Sequence, residues 1–263
     1  MIGLSFAISA CSPAGGTPAD AALTGDRALL VAAAADLRPA FEEIGALYTA
    51  DTGHEVIFDF GSSGQLAQRI IEGSPVDVYA SANVSFVERV LESGRGDPAT
   101  KATYAFGRIT IWSRTDRWRG WSTLDDVVSD PTVRFVAIAN PEHAPYGLAA
   151  KEALESSGLW ETASEKLVFG ENISDTQRLA DTGDADVAVV ALSLALAAGD
   201  RGAWVPIDDG LHAPLEQALV VVTDDPDRTE AARAFAEFVN GEAGRAVMVR
   251  YGFVLPGEAP GVG

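Results

Sequence analysis

Short apolar runs alternate with segments of helical period along the first hundred residues. Continuous or nearly continuous apolar runs of this length are typical of strands buried in a parallel sheet. Between them, apolar side chains recur at spacings of three and four, which predicts helices. Strand and helix alternate three times, the pattern of an α/β protein. The predicted strands are 27–34, 56–60 and 76–80, and the helices follow Asp36, follow the turn at 61–64, and span about 85–91.

A second α/β series follows after a strand at 106–113 that alternates like an exposed or crossing strand, and after a basic, Trp-rich loop at 114–120. The run at 216–223 is also apolar and could cross back. The chain is therefore predicted to build one lobe, cross to a second and return, which places a ligand in the cleft between them. The other predicted elements are strands at 133–139, 166–169, 185–191 and 204–207, and helices at 145–157, 174–182, 227–240 and 241–249.

The turn Gly61-Ser62-Ser63-Gly64 lies between a predicted strand and a predicted helix. Such a turn presents small side chains and free backbone N–H groups at the positive end of a helix dipole. It also follows a parallel strand, at the edge of the sheet where α/β proteins bind ligands. We predict a socket for a small anion made of neutral donors, with a plain helix cap as the alternative interpretation.

The charge balance limits the kinds of partner that the protein can bind. The chain has 38 acidic and 19 basic residues, a net charge of −19, which argues against nucleic acid and anionic membrane surfaces. Because the overall charge repels anions, any anion must be bound by groups in direct contact with it. His54 and His212 have no cysteine or carboxylate at metal spacing, so no metal-cation site and no cofactor are predicted. No serine or cysteine is paired with a histidine as in a nucleophile, so the protein is not predicted to be an enzyme.

The N-terminal segment predicts export. Ile8-Ser9-Ala10-Cys11 follows a short apolar run and resembles the lipobox of bacterial lipoprotein signal peptides. A chance cysteine in a short apolar segment is the alternative interpretation. We expect a signal peptide at 1–10, lipidation of Cys11, and a flexible Pro/Gly/Ala/Thr-rich tether at 11–26. The protein is then exported and anchored to the outer face of the cell membrane, or periplasmic.

Six segments, taken in order, resemble the molybdate-binding proteins that feed bacterial ABC importers. Each motif is weak alone, but their order is specific, and together they span about 29–254. The resemblance implies an α/β, two-lobed periplasmic-binding-protein type II fold, with mixed sheets flanked by helices and two crossover strands. Lobe 1 is then 27–107 plus 224–263, and lobe 2 is 108–223. The segments are 31–37, 60–64, 77–82, 140–147 with 150–154, 170–174 and 250–253.

The resemblance also implies a tetrahedral oxyanion held through its oxygen atoms by neutral hydrogen bonds, without direct protein ligands to molybdenum. In this chain the implied donors come from five loops. Where the family usually has a tyrosine this chain has Ala191, and the Ser193 hydroxyl is the expected substitute. The expected oxyanion-binding residues are Asp36, Ser62, Ser63, Tyr146 and Ile173, the last two through backbone N–H groups, and Ser193.

Asp36 departs from the family pattern, which usually has serine at this loop. A carboxylate about 4 Å from a negative charge costs about 4 kcal/mol at an effective dielectric constant of 20. Two arrangements remain open. In one, the carboxylate caps the next helix while the backbone N–H of Asp36 faces the ligand. In the other, the side chain is protonated and donates a hydrogen bond.

We therefore predict a monomeric extracytoplasmic solute-binding protein that captures molybdate, and tungstate as well, and delivers it to the permease of an ABC importer. Another oxyanion such as sulfate or phosphate is the alternative ligand, which Asp36 and Ala191 leave open. His143 is expected to be structural. The tryptophans at 112, 118 and 121 are expected to pack over the crossover.

Overall fold

The computed structural model describes residues 28–258. The predicted signal peptide, the tether and the lipidation of Cys11 lie outside the described residues. Within 28–258, no helix combines the length and the apolar character that crossing a membrane requires.

The first sheet has the strand order β2-β1-β3-β10-β4. Its three parallel strands carry the apolar runs recognised in the sequence, and β10 runs antiparallel to both of its neighbours. These strands are β1 (Leu29–Ala34), β2 (Val56–Gly61), β3 (Val78–Ser81), β4 (Ala102–Gly107) and β10 (Leu215–Val221). The helices of this part of the chain are α1 (Arg38–Thr52), α2 (Ser63–Ile71), α3 (Val84–Glu92), α9 (Pro226–Asn240) and α10 (Glu242–Arg250).

The second sheet has the order β7-β6-β8-β5-β9. Strands β6, β7 and β8 are parallel, and β5 is antiparallel to β8 and β9. The strands are β5 (Ile109–Arg114), β6 (Val136–Ala139), β7 (Leu167–Gly170), β8 (Val187–Ala191) and β9 (Gly202–Pro206). The helices are α4 (Leu124–Ser129), α5 (Pro145–Ser156), α6 (Trp160–Ser164), α7 (Ile173–Thr182) and α8 (Leu192–Ala198).

The chain crosses between the sheets twice. The predicted strand at 106–113 is in fact two strands, β4 and β5, which meet at Arg108 and lie in different sheets. The crossing interpretation is confirmed and the exposed one is wrong, because β5 lies between β8 and β9 and is buried from Ile109 to Ser113. The second crossing runs from β9 to β10.

One predicted lobe boundary is wrong. The expected second lobe ends at residue 223 and so includes β10, but β10 is hydrogen-bonded to β3 and β4 of the first sheet. The apolar run that forms β10 does not reveal which sheet it joins, because it is buried in either case.

Three short helices, α4, α6 and α8, were not predicted. Helix α8 starts directly where β8 ends, so the apolar sequence continues without a polar break. Helix α4 does have a sequence signal. The Thr123 side chain accepts a hydrogen bond from the Asp126 N–H while the Asp126 side chain accepts one from the Thr123 N–H, which is a capping box.

A buried ion pair ties helix α9 to the first sheet. Asp77, just before β3, accepts a hydrogen bond from the Leu30 N–H at 2.7 Å and pairs with Arg228 of α9. Arg228 also donates to the Ala28 carbonyl at 2.9 Å. The Asp77 side chain is only 4% exposed, so its charge depends on this arginine.

We expect Asp77→Asn to lower the free energy of unfolding by about 2–4 kcal/mol, because it leaves the largely buried Arg228 without its counter-charge. Urea denaturation measures the change. Asp59→Asn is the matched control: Asp59 pairs with Arg69 at 2.8 Å, but both side chains are half-exposed, so about 1 kcal/mol or less is expected. Equal losses in the two variants would contradict the structural role given to Asp77.

Candidate functional site

A small cavity lies between the two sheets. Its walls are the loops after β1, β2 and β3 on one side, and the N-terminal ends of α5 and α7 on the other. The cavity leaves about 10 Å³ for the centre of a water-sized sphere, room for about one water molecule. The lobes are therefore closed around it. A larger hollow of about 410 Å³ beside Ile111 and Leu124 contains none of the predicted donors.

Ser63 is the first residue of α2 and lines the cavity. Its Oγ accepts a hydrogen bond from the Ala82 N–H at 3.0 Å, and its carbonyl accepts one from the Tyr79 hydroxyl at 2.7 Å. Because the Ser63 hydroxyl acts as an acceptor there, its own proton remains available for a ligand. The side chain is 1% exposed.

Ser62 joins the two lobes. Its hydroxyl donates to the His143 carbonyl at 2.6 Å and also lies 2.9 Å from Nδ1 of His143. The Gly64 N–H donates to the same carbonyl at 2.9 Å. A Cβ on Gly64 would lie 2.8 Å from that oxygen, so the approach requires glycine. Ser62 makes no side-chain cap bond to α2, so the plain-cap interpretation is wrong for this residue. His143 is structural, as expected, through closure of the cleft.

Tyr146 and Ile173 lie in the first turns of α5 and α7. The first N–H groups of an α-helix have no intrahelical acceptor, so both residues offer backbone donors at the cavity wall. The Asn172 side chain caps α7 by accepting from the Ser174 and Asp175 N–H groups, each at 3.0 Å, and Ile173 is not part of that cap. Both residues are buried and line the cavity, the position that the predicted backbone role needs.

Asp36 is fully buried in a one-turn 3-10 helix, Ala35–Leu37, that follows β1. The expected cap is wrong: α1 begins at Arg38, and neither α1 nor the 3-10 turn has a side-chain cap bond. Instead, Oδ2 of Asp36 accepts from the Tyr146 hydroxyl at 2.9 Å and from Nε2 of Gln217 at 2.8 Å. The other oxygen, Oδ1, is buried and has no hydrogen-bond partner among the described residues. The carboxyl group therefore bridges the two lobes, because Tyr146 belongs to the second lobe and Gln217 to the first.

Gln217 of β10 fixes this arrangement and was missed in the sequence. Its Nε2 donates to the Tyr146 hydroxyl at 3.0 Å as well as to Asp36, and its Oε1 accepts from the Tyr104 hydroxyl at 3.0 Å. A Cβ on Gly107 would lie 2.2 Å from the Tyr146 hydroxyl, so glycine makes room for the ring. The available signal was a glutamine within an apolar, buried strand.

Burial raises the pKa of Asp36 to about 6, while the hydrogen bonds from Gln217 and Tyr146 act in the opposite direction. Burial and the neighbouring carboxyl group also raise the pKa of Tyr146 well above its ordinary value, so Tyr146 stays a donor. The closed form thus binds the Asp36 proton more tightly than the unfolded chain, in which the pKa has its ordinary value of 3.8. This stabilisation is present below pH 4 and is lost as pH rises to 6, a change of about 3 kcal/mol.

Ser193 does not line the cavity. Its hydroxyl donates to the Asp36 backbone carbonyl at 2.7 Å, and the Ser174 hydroxyl donates to the Ala35 carbonyl at 3.1 Å. The structure therefore places Ser193 behind the Asp36 loop, where it holds the backbone, and not at the position of a direct oxyanion ligand. The Trp118 and Trp121 rings pack edge to face with centroids 5.4 Å apart.

We expect Gln217→Leu to lower the free energy of unfolding by about 2–4 kcal/mol, because Asp36, Tyr146 and Tyr104 would each lose a buried partner. Chemical denaturation without added anion measures this. Gln65→Leu on the exposed face of α2 is the matched control, with a change of about 0.5 kcal/mol or less. A Gln217 variant as stable as the control would show that the buried cluster contributes nothing.

Comparisons with known proteins agree with this geometry. Residues 29–254 match the family model described as bacterial extracellular solute-binding protein. A molybdate-binding protein ModA from Rhodobacter capsulatus is 35% identical over 86% of this chain and 88% of its own length. The putative ABC transporter substrate-binding lipoprotein YvgL of Bacillus subtilis is 29% identical over 86% of this chain and 85% of its own length.

Among solved structures, the periplasmic molybdate-binding protein of Azotobacter vinelandii superposes with a TM-score of 0.80 and 29% identity. The match covers 87% of this chain and 99% of that one, and it confirms the predicted two-lobed fold. The chain therefore belongs to the bacterial extracellular solute-binding proteins, in the family that includes the molybdate-binding proteins ModA.

Proposed function

We propose that this protein captures molybdate in the closed cavity between its lobes and delivers it to an ABC importer. The observation that carries the proposal is the cavity itself, whose wall brings together the Ser63 hydroxyl and the first turns of α2, α5 and α7. Relatives that share most of the chain are named for molybdate binding.

The chemistry of the wall suits an anion. Three helix N-termini direct partial positive charge and unpaired N–H groups at the same small volume. In the described part of the chain, no lysine or arginine lines the cavity, so charge balance comes from dipoles and not from a cation. Since the chain carries a net charge of −19, these local donors must hold the anion against the overall field.

The proposed ligands are Ser63, through its hydroxyl and N–H, and the N–H groups of Tyr146 and Ile173, with Ser62 and Asp36 adjoining the cavity. Tungstate, with the same charge and tetrahedral shape, is included in the proposal. Selectivity follows from cavity size, because a fixed shell of neutral donors fits one anion radius best.

The closed form is the form that we propose the permease recognises, since closure couples ligand capture to lobe orientation. The protein acts as a monomer on the outer side of the cell membrane, and a lipid anchor at Cys11 keeps it near the importer. No catalytic step is part of this proposal.

A second candidate follows from Asp36. If its carboxyl group is ionised in the complex, the unpartnered Oδ1 is an acceptor and favours an oxyanion that carries its own proton, such as monohydrogen phosphate. The relatives, which are named for molybdate binding, favour molybdate over this alternative.

Titration calorimetry on the mature protein tests the ligand. Molybdate and tungstate are expected to bind with one site per chain, and sulfate and phosphate more weakly or not at all, because the donor shell is fixed. Binding of sulfate or phosphate without any response to molybdate would overturn the proposal.

We expect Ser63→Ala to weaken molybdate binding by about 10- to 100-fold, because it removes a donor to a charged ligand worth about 1.5–3 kcal/mol. The same calorimetric titration measures the loss. Ser85→Ala is the matched control, since Ser85 is exposed on α3, and its affinity should equal that of the wild type. Unchanged affinity in Ser63→Ala would remove this residue from the site.

A further inference from the structure

We propose that Asp36 binds the oxyanion as a neutral carboxylic acid, with a proton on Oδ1, so that capture of a fully deprotonated anion takes up one proton from solution. This inference rests on the proposed function, because it concerns the same cavity and the same ligand. It gives Asp36 a role in selecting the anion and the protonation state in which that anion binds.

The geometry leaves Oδ1 as the position for that proton. Oδ2 already accepts from the Tyr146 hydroxyl at 2.9 Å and from Gln217 Nε2 at 2.8 Å, one donor from each lobe. These two bonds fix the rotation of the carboxyl group and occupy Oδ2 as an acceptor. Oδ1 is buried without a partner in the described structure, and Asp36 lines the cavity. A ligand oxygen is the partner that Oδ1 lacks.

Among the residues at 28–258, none that contacts the Asp36 side chain supplies a positive charge that would let an ionised Asp36 share the cavity with a dianion. The groups that face its side chain are the hydroxyl of Tyr146 on α5, the amide of Gln217 on β10 and, beyond that amide, the hydroxyl of Tyr104 on β4. From α8, Ser193 binds only the backbone carbonyl of Asp36. In the loop before α5, His143 is bound to Ser62. All the groups that contact the carboxyl group are neutral donors.

Two negative charges placed together in a buried volume repel strongly, and a proton shared between them removes one charge. Burial already raises the pKa of Asp36 to about 6 in the closed form without a ligand. A dianion next to Oδ1 raises it further, because both the added charge and the hydrogen bond favour the protonated side chain. Near pH 8 the unliganded group is mostly ionised and the liganded group is protonated, so binding takes up the proton.

The same position accounts for a choice between anion classes. Molybdate carries no proton at neutral pH, so the proton at Oδ1 must come from solvent. Monohydrogen phosphate brings its own proton and donates it to an ionised Oδ1, so its binding takes up none. In both complexes one proton lies between Oδ1 and a ligand oxygen, and the two cases differ only in its source.

Calorimetry with molybdate in two buffers of different ionisation enthalpy measures the number of protons taken up between pH 5 and pH 8. We expect a value near zero at pH 5 and near one at pH 8, with affinity falling by about tenfold per pH unit above about pH 7. Sulfate, if it binds, should behave in the same way.

Two variants of Asp36 distinguish an effect of its proton from an effect on folding. In Asp36→Asn an amide N–H replaces the acid proton, so we expect no proton uptake, flat affinity between pH 5 and pH 8, and binding about 10- to 100-fold tighter than wild type at pH 8. Asp36→Ser supplies the same comparison with a hydroxyl donor if the asparagine variant does not fold. Asp59→Asn, on the exposed face of β2, should keep the wild-type proton uptake.

Molybdate binding by the wild type without proton uptake and with constant affinity from pH 5 to pH 8 would overturn the inference while the proposed function stands. No molybdate heat at any pH, together with phosphate binding without proton uptake, would overturn both. Proton uptake that persists unchanged in both Asp36 variants would assign it to another group and also overturn the inference.

Discussion

A carboxyl group buried between two lobes, without a cation beside it, is the constraint on which this site depends. Asp36 is held by a hydroxyl from one lobe and an amide from the other, and its second oxygen faces inward without a partner. Several other residues of the cleft are arranged around this group. The backbone beneath it is anchored by Ser193, the amide is oriented by Tyr104, and Gly107 leaves space for the Tyr146 ring.

The fold serves this arrangement by bringing strand ends and helix starts from two separate sheets to one volume. The two crossings, β4 to β5 and β9 to β10, build the first sheet from two separate pieces of chain, while the continuous segment between them forms the second sheet. Because β10 returns to the first sheet, Gln217 lies beside Asp36 although the two are 181 residues apart in sequence. The donors of the second lobe then reach the same cavity from the opposite side.

Local pattern predicted most of the strands and long helices, since buried parallel strands and amphipathic helices have distinct periods. It also located Ser63, because a turn that opens a helix is visible in the sequence, whereas Tyr146 and Ile173 were implied by the family resemblance. It did not predict Gln217 or the direction of Asp36. Both depend on which side chains meet across the cleft, and the sequence of Asp36 and its neighbours was also compatible with a helix cap. Ser193 was placed in the correct region, but its partner, a backbone carbonyl, has no sequence signal.

The hydrogen bonds from Ser62 and Gly64 to the His143 carbonyl are made by the protein alone. Each such bond lowers the free energy of the closed conformation whether or not a ligand is bound. It therefore raises the fraction of ligand-free protein that is closed. An importer that recognised only the orientation of the lobes would also hydrolyse ATP when a ligand-free binding protein docks. The more strongly the two lobes bind each other directly, the more the importer must recognise a structural difference that only the bound anion produces.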